Sequence, residues 1–464
     1  MILFQCSAGK RVIPIFVLFI CGVAPDSLFL GAQGVAKGPM RDITARQLVY
    51  DMKVGWNLGN TLDAPEGETA WGNPMTSQAM IDAVKAMGFK TVRIPVTWEK
   101  HMGGASAYTV NAAWLDRVET IANYVLRDSM YAIINTHHDE WATPVASSQT
   151  AVADRLGKLW TQIAARFRDY SDYLVFETLN EPRQSVNEWN GGTPEARTIL
   201  NAYHQAAVKA IRATGGNNAA RFIMICGHGA TPTTECVNGI VIPNDNDPRC
   251  IVSLHTYYPQ EFSFSGGTST WGSSADQANV IKELDREKKD VSSKGGGTAI
   301  IGEWGSVDKS NLSSRVAHAE FYAREARSRG MLAVWWDNGA ADFGILNRKS
   351  NPPSWTWPTI AQALVRGANN ATAIENRDRQ KTGSIPAGLS ERRGVITYML
   401  NDPAPIVLSM YSLRGRFIAT LVKSVQQAGK HTVIIPESGI ANGPYLLELK
   451  TDAGPATRKI FLSR

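Results

Sequence analysis

Two glutamates follow short apolar segments in positions that could support acid–base chemistry. Glu181 comes directly after the apolar segment in LVFETLNEPR, and Glu303 lies in GEWG after TAII. One protonated carboxylic acid and one ionised carboxylate at a shared site can help an oxygen to depart and can attack the carbon that it leaves. A single glutamate is more simply explained as a salt-bridge partner, so the question is whether other polar groups gather with these two.

Other apolar segments of the chain also end in polar or aromatic residues. In chain order these are Asn57 and Asn60, Arg93, His137 and His138, Asn180 and Glu181, His255 and Tyr257, Glu303, and Trp335 and Trp336. Strands that are covered on both faces would otherwise be plainly aliphatic. Residues two apart on a strand share a face, so His255 and Tyr257 can point to one site, whereas only one of Trp335 and Trp336 can face it. The pattern predicts one site built from many strand ends.

The elements that must position these residues alternate regularly between residues 54 and 369. Short β-branched segments occupy residues 54–60, 91–97, 131–137, 174–180, 221–227, 251–257, 298–304 and 332–338. Helical periodicity marks residues 79–89, 112–129, 155–170, 199–214 and 314–330. Eight strand–helix units predict an α/β fold, a closed (β/α)8 TIM barrel with its active site at the C-terminal ends of the strands. A doubly wound open sheet is the alternative, but GWNLGN lacks the spacing of a glycine-rich phosphate turn.

The chain after the catalytic domain, which we place at residues 37–369, divides into two parts. Residues 370–390 lack apolar periodicity and indicate a linker, whereas residues 391–464 contain short alternating segments that predict a small C-terminal antiparallel β-sandwich. From residue 370 onward there are 13 Lys and Arg against 7 Asp and Glu, which accounts for the whole net charge of +6. No base-stacking aromatics are interleaved with these basic residues, so nucleic acid is not an expected partner.

The first 36 residues predict a signal peptide. Lys10 and Arg11 precede an apolar stretch at 12–24 that is short for a membrane span, although a membrane anchor is the alternative. We therefore expect a secreted, extracellular protein, either released or associated with the cell surface.

Export would permit a disulfide among the cysteines that remain after the leader. These are Cys226, Cys236 and Cys250, and closure between Cys236 and Cys250 is the easiest because a short polar loop separates them. The cysteines lack a metal-type pairing. The sequence HHDE at 137–140 looks like a metal cluster, but neighbours on a strand point to opposite faces, so no metal is expected there.

Seven motifs together resemble glycoside hydrolase family 5 between about residue 45 and residue 368. They are GWNLGN, VRIPVTW, NTHHDEW, LNEPR, LHTYYP, GEWG and VWWDNG, in that order. The resemblance implies a retaining, endo-acting enzyme, most often an endo-β-1,4-glucanase, that needs no cofactor. The expected partner is a β-glucan polysaccharide, and the expected state is a monomer. A xyloglucanase, mixed-linkage glucanase or mannanase would use the same residues, and a catalytically dead sugar-binding barrel is the non-enzyme alternative.

The resemblance also assigns roles to individual residues. Glu181 would be the acid/base and Glu303 the nucleophile, with Arg93 and Tyr257 against Glu303, and Asn180 would bond the 2-hydroxyl of the sugar. The same site would include His137, His138, His255 and Asn57, with Trp336 as the sugar platform. Glu177 is expected to be buried beneath the site.

The two carboxyl groups of such a site are expected about 5 to 5.5 Å apart, and their repulsion predicts one shared proton. The expected carrier is Glu181, because Arg93 would keep Glu303 ionised. The C-terminal sandwich resembles the sorting modules that take exported bacterial enzymes through a dedicated secretion machinery to the cell surface. A carbohydrate-binding module is the alternative, but this segment has no tryptophan to form a stacking platform.

Overall fold

Eight parallel strands close into a barrel in sequential order, which confirms the predicted (β/α)8 architecture. The computed structural model describes residues 36–185, 188–340, 342–371, 390–392, 394–400, 403–412, 416–436, 440–451 and 454–462. The barrel strands are β1 Gly55–Asn57, β2 Thr91–Ile94, β3 Tyr131–Asn135, β4 Leu174–Glu177, β5 Ile223–Cys226, β6 Cys250–His255, β7 Ala299–Trp304 and β8 Leu332–Trp335. Most end earlier than expected, so several site residues lie in the loops that follow.

Helices surround the barrel, and several of them begin at a residue whose side chain caps the first turn. The helices are α1 Ala45–Met52, α2 Gln78–Met87, α3 Ala112–Arg127, α4 Gln149–Arg166, α5 Pro194–Ala213, α6 Thr234–Gly239, α7 Pro243–Asn246, α8 Gln260–Ser263, α9 Ser274–Val291, α10 Leu312–Ser328 and α11 Pro358–Asn369. Thr44 and Ser273 form capping boxes at α1 and α9. None of the described helices is long and apolar enough to cross a membrane.

The interior of the barrel has two layers of side chains on the same strand faces. The lower layer is aliphatic and consists of Ile133, Val175, Met224, Ile251, Ile300, Leu332 and Val334, all buried. The fully buried apolar residues of α1 pack against it and close the N-terminal end of the barrel. The upper layer is polar and consists of Asn57, Arg93, Asn135, Glu177, Ser253 and His255, all buried. Because side chains alternate along a strand, Asn135, Glu177 and Ser253 each follow an aliphatic residue of the lower layer by two positions.

The C-terminal segment forms the predicted antiparallel sandwich. After a small hairpin of β9 Leu346–Asn347 and β10 Ser354–Trp355, the strands are β11 Ser390–Arg392, β12 Val395–Leu400, β13 Ala404–Ser412, β14 Phe417–Gln426, β15 Gly429–Ile434, β16 Gly443–Thr451 and β17 Gly454–Leu462. They form sheets ordered β11-β12-β15 and β14-β13-β16-β17. Side chains of both sheets, including Ile396, Leu408 and Leu447, share one apolar core. The leader and nearly all of the linker lie outside the described residues.

The structure does not contain the disulfide that the sequence allowed. Cys226, Cys236 and Cys250 are all free and buried. Cys250 is the first residue of β6, whereas Cys236 lies on α6, which follows the C-terminal end of β5. The two cysteines therefore lie toward opposite ends of the barrel, so the short separation in sequence did not imply proximity.

Candidate active site

Arg93 is the centre of a buried hydrogen-bond network at the C-terminal end of the barrel. Its Nε donates to Glu177 at 2.8 Å, and its Nη1 donates to Glu303 at 2.9 Å and to Asn57 at 3.0 Å. Its Nη2 donates to Asn180 at 2.6 Å. The fixed fork of a guanidinium can bind several acceptors in one geometry, so one arginine on β2 aligns residues from β1, β4 and β7.

The upper layer supports this arginine from below. Glu177 accepts hydrogen bonds from Asn135 at 3.0 Å and from Ser253 at 2.6 Å, in addition to the bond from Arg93. Glu177 is therefore a buried partner beneath the site, as expected. Asn57 donates to the carbonyl of Gly302 at 2.8 Å, so its role is to join β1 to β7. Asn135 and Ser253 were not among the residues predicted for the site. Their spacing could have identified them, because each precedes a site histidine by two residues.

The two carboxylates that the sequence paired lie together at the barrel mouth. One oxygen from each of Glu181 and Glu303 lies within 4.8 Å of the other, with a nitrogen of His255 in the same group. His255 Nδ1 is 2.7 Å from Glu181 Oε1 and 3.8 Å from Glu303 Oε1. The Tyr257 hydroxyl donates to Glu303 at 3.0 Å. Both carboxylates are thus held by donors, and His255 lies between them.

The directions of the pKa shifts in this cluster oppose the expectation that Glu181 carries the shared proton. Burial raises the pKa of Glu303, and the charge of Glu181 adds to this, although His255 and Arg93 oppose it. Burial alone would raise the pKa of Glu181, but the hydrogen bond and charge of His255, with the charge of Arg183, bring its pKa below the usual value. Burial would lower the pKa of His255, but the two carboxylates raise it instead.

Two contacts explain why the directions of these pKa shifts oppose the expectation. Arg93 donates to both Glu177 and Glu303, so one positive charge serves two buried carboxylates and favours ionised Glu303 less than a dedicated partner would. His255 lies closer to Glu181 than to Glu303 and favours ionised Glu181. Both contacts therefore favour a proton on His255 or Glu303 over one on Glu181.

Aromatic rings form one wall of the site, and the structure decides between the paired tryptophans. Trp335 is fully buried and its indole donates to the carbonyl of Phe343 at 3.2 Å. Trp336 is partly exposed, and its ring lies parallel to that of His137 with centroids 6.1 Å apart. A Cβ atom on Gly59 would come within 2.7 Å of the Trp336 ring, so glycine is needed there for this ring to lie close to the backbone. Trp336 is the member of the pair that faces the site.

An open pocket extends from Glu181 along the loops after β3 and β4. It is lined by residues from segments 137–143 and 179–185, including His137, His138, Asn180 and Arg183. Strand alternation does not apply to His137 and His138, because β3 ends at Asn135 and both histidines lie in the following loop. The expectation that they point to opposite faces therefore has no basis in the structure. Their rings meet edge to face with centroids 4.4 Å apart.

Two groups of side chains within the described ranges have metal-ligand chemistry. One is Glu181, His255 and Glu303, and the other is Asp63, His137 and His138. In the second group the Asp63 oxygens already accept backbone N–H groups of Asn60 and Thr61 at 2.8 and 2.5 Å. Hydrogen bonding thus accounts for Asp63, and the sequence-based expectation of no metal stays a prediction.

The remaining tryptophans near strand ends divide into exposed and packed rings. Trp71 and Trp189 are 45% and 47% exposed, and they contact His138 and Arg183 respectively. Trp271 is buried, and Trp355 stacks on Phe89. His228 is buried and accepts the backbone N–H of Gln184 at 3.3 Å, so it supports the loop after β4.

Comparison with known proteins shows the family to which the chain belongs. The family model described as cellulase, glycosyl hydrolase family 5, matches residues 57–342. Endoglucanase B of Clostridium cellulovorans is 46% identical over 80% of this chain and 88% of its own. Cellulase/esterase CelE of Acetivibrio thermocellus is 53% identical over 73% of this chain, which spans 42% of CelE.

A solved structure is also similar to this chain in sequence and in fold. ZgEngAGH5_4 in complex with a cellotriose is 48% identical, with a TM-score of 0.69 over 71% of this chain and 100% of the solved chain. These relatives support endoglucanase activity. The chain belongs to the cellulase family, glycosyl hydrolase family 5, and is a glycoside hydrolase.

Proposed function

We propose that this glycoside hydrolase is a secreted endo-β-1,4-glucanase that cleaves internal bonds of cellulose or related β-glucans with retention of configuration. The observation that carries the proposal is the approach of Glu181 and Glu303 oxygens within 4.8 Å at one rim. That separation fits direct attack by a carboxylate and leaves little room for the water of an inverting mechanism.

In the first step Glu303 attacks the anomeric carbon while Glu181 gives a proton to the departing glycosidic oxygen. A covalent glycosyl–Glu303 bond forms and the glycosidic carbon–oxygen bond breaks. The proton comes from the cluster, because a bound sugar excludes water beside Glu181 and so disfavours its charged form. The 2.7 Å hydrogen bond gives that proton a direct path from His255 to Glu181.

In the second step Glu181 acts as a base. It takes a proton from water, the water oxygen bonds to the anomeric carbon, and the bond to Glu303 breaks to release a carboxylate. Arg93 and Tyr257 donate to Glu303 and stabilise that leaving carboxylate. We assign the free amide nitrogen of Asn180 to the sugar 2-hydroxyl, since its oxygen is held by Arg93.

Proton NMR of the earliest product from a soluble glucan tests the mechanism. The β-anomer should appear first and the α-anomer only later through mutarotation. If the α-anomer is formed first, neither retention nor the paired roles of Glu181 and Glu303 can stand.

The preferred glucan depends on subsites away from the cleavage point. Xyloglucan, mixed-linkage glucan and mannan present the same reacting ring, so the catalytic residues do not separate these substrates. Rates on carboxymethylcellulose, barley glucan, xyloglucan and mannan would identify the preferred polymer. No activity on any of the four would favour the sugar-binding alternative.

Secretion and the role of the C-terminal sandwich are further parts of the proposal. The leader at 1–36 supports export, and the sandwich supports either passage through secretion machinery or attachment at the cell surface. Detection of the processed enzyme in the medium or on intact cells would test this part separately from catalysis.

A further inference from the structure

Glu181 has a second cationic neighbour that comes from its own loop. Arg183 Nη1 donates to Glu181 Oε2 at 3.2 Å and to the Glu181 carbonyl at 3.0 Å. His255 occupies the other carboxylate oxygen, Oε1. The two oxygens of the acid/base are therefore each held by a different donor, one from β6 and one from the loop after β4.

The position of Arg183 is fixed by an aromatic ring as well as by Glu181. Its guanidinium carbon lies 4.1 Å from the centre of the Trp189 ring, within the range of a cation–π contact. The Arg183 side chain is 21% exposed, so the contact is only partly screened by solvent. A long side chain that already contacts a ring and a carboxylate loses little further freedom when it orients that carboxylate.

We propose that Arg183, backed by Trp189, is a positioning residue that orients Glu181 and favours its ionised form between the two half-reactions. The inference rests on the proposed acid/base role of Glu181 and adds a residue to it. The ionised form is the one that must take a proton from water in the second step. Arg183 thus helps the second step and lowers the pH at which Glu181 loses its proton.

Other charged groups face Glu181, but the nearest of them also contact Glu303. His255 lies between Glu181 and Glu303, and Arg93 is bonded to both Glu177 and Glu303. His138, after β3, also faces Glu181. The direct ion pair of Arg183 with Glu181 is therefore the contact whose removal changes the charge around Glu181 with least effect on Glu303.

The matched control is Arg155 on α4. Its guanidinium carbon lies 4.1 Å from the centre of the Trp141 ring, the same distance as in the Arg183–Trp189 pair. In the part of the chain that the structure describes, Arg155 forms no ion pair with Glu181. Arg155→Gln therefore removes an equivalent ring contact and leaves the acid/base untouched.

The experiment measures kcat/KM against pH on an aryl cellobioside for Arg183→Gln, Arg183→Lys and Arg155→Gln. Loss of the Arg183 charge raises the affinity of Glu181 for its proton, so the alkaline limb should move to higher pH by about half a unit to one unit in Arg183→Gln. Arg183→Lys should restore most of the original limb, and Arg155→Gln should not move it. A merely structural role would lower kcat/KM by the same factor at every pH.

Further outcomes separate this inference from the proposed function. If Arg183→Gln leaves the limb in place while circular dichroism shows a folded enzyme, or if Arg155→Gln moves it equally, the role of Arg183 is overturned. Glu181→Gln on the same substrate tests the acid/base itself: a reactive leaving group should still glycosylate the enzyme, with deglycosylation becoming slow. Wild-type turnover by Glu181→Gln would instead refute the acid/base assignment, whatever the Arg183 variants show.

Discussion

The lower and upper layers of the barrel interior lie two residues apart on the same strands but differ completely in chemistry. On β3, Ile133 belongs to the lower layer and Asn135 to the upper layer, and on β4 the pair is Val175 and Glu177. The lower side chains gain stability by leaving water, whereas the upper ones are stable only because each has hydrogen-bond partners. One end of the barrel therefore maintains the fold, and the other maintains a buried charge network that the chemistry uses.

The variant with the largest expected effect on the difference between the two layers is Glu303→Gln. The amide keeps the shape of the side chain but cannot attack the anomeric carbon, so kcat should fall by roughly 10⁴-fold or more. Because Glu303 takes no part in the lower layer, the melting temperature should stay close to that of the wild type. Hydrolysis of a soluble glucan and thermal unfolding should be measured on the same preparation. Activity above a few per cent of wild type would remove Glu303 from the nucleophile role.

The reverse test is Ile133→Ala in the lower layer. Truncating a fully buried isoleucine should reduce the free energy of unfolding by about 2–5 kcal/mol, as measured by denaturant titration. The rate per folded molecule should remain that of the wild type at a temperature where the variant is folded. Asn135→Ala is the matched variant on the same face, and it should reduce the rate because Asn135 bonds Glu177 beneath Arg93. Equal effects of the two variants on rate would contradict the division into layers.

Much of the upper layer could be predicted from sequence because it obeys strand alternation. Reading the last residues of each strand identified Arg93, His255 and Glu303, which the structure brings together. Alternation fails once the strand has ended. The orientation of His138 and the contact of Arg183 with Glu181 depend on loop conformation, which has no period.

The directions of the pKa shifts at the two carboxylates could not be predicted for a different reason. They depend on how Arg93 divides its charge between two carboxylates and on which of two oxygens lies nearer to His255, and these are differences of about an ångström. The absence of a disulfide between Cys236 and Cys250 could not be predicted for a similar reason. Closeness in sequence does not indicate the end of the barrel at which each cysteine lies. Residue types and spacing therefore predicted the members of the site better than its electrostatics.

The smallest expected effect comes from deleting residues 386–464. The core of the sandwich is formed by its own side chains between Ile396 and Leu462, and the two barrel layers draw on strands that end at Trp335. Hydrolysis of soluble glucan by the truncated enzyme should therefore be nearly unchanged, and so should its pH profile. A loss of activity from a truncated enzyme that remains folded would show that the sandwich supports the barrel mouth. A loss confined to insoluble cellulose would instead make the sandwich a carbohydrate-binding module, because only a polymer surface requires the enzyme to be held in place.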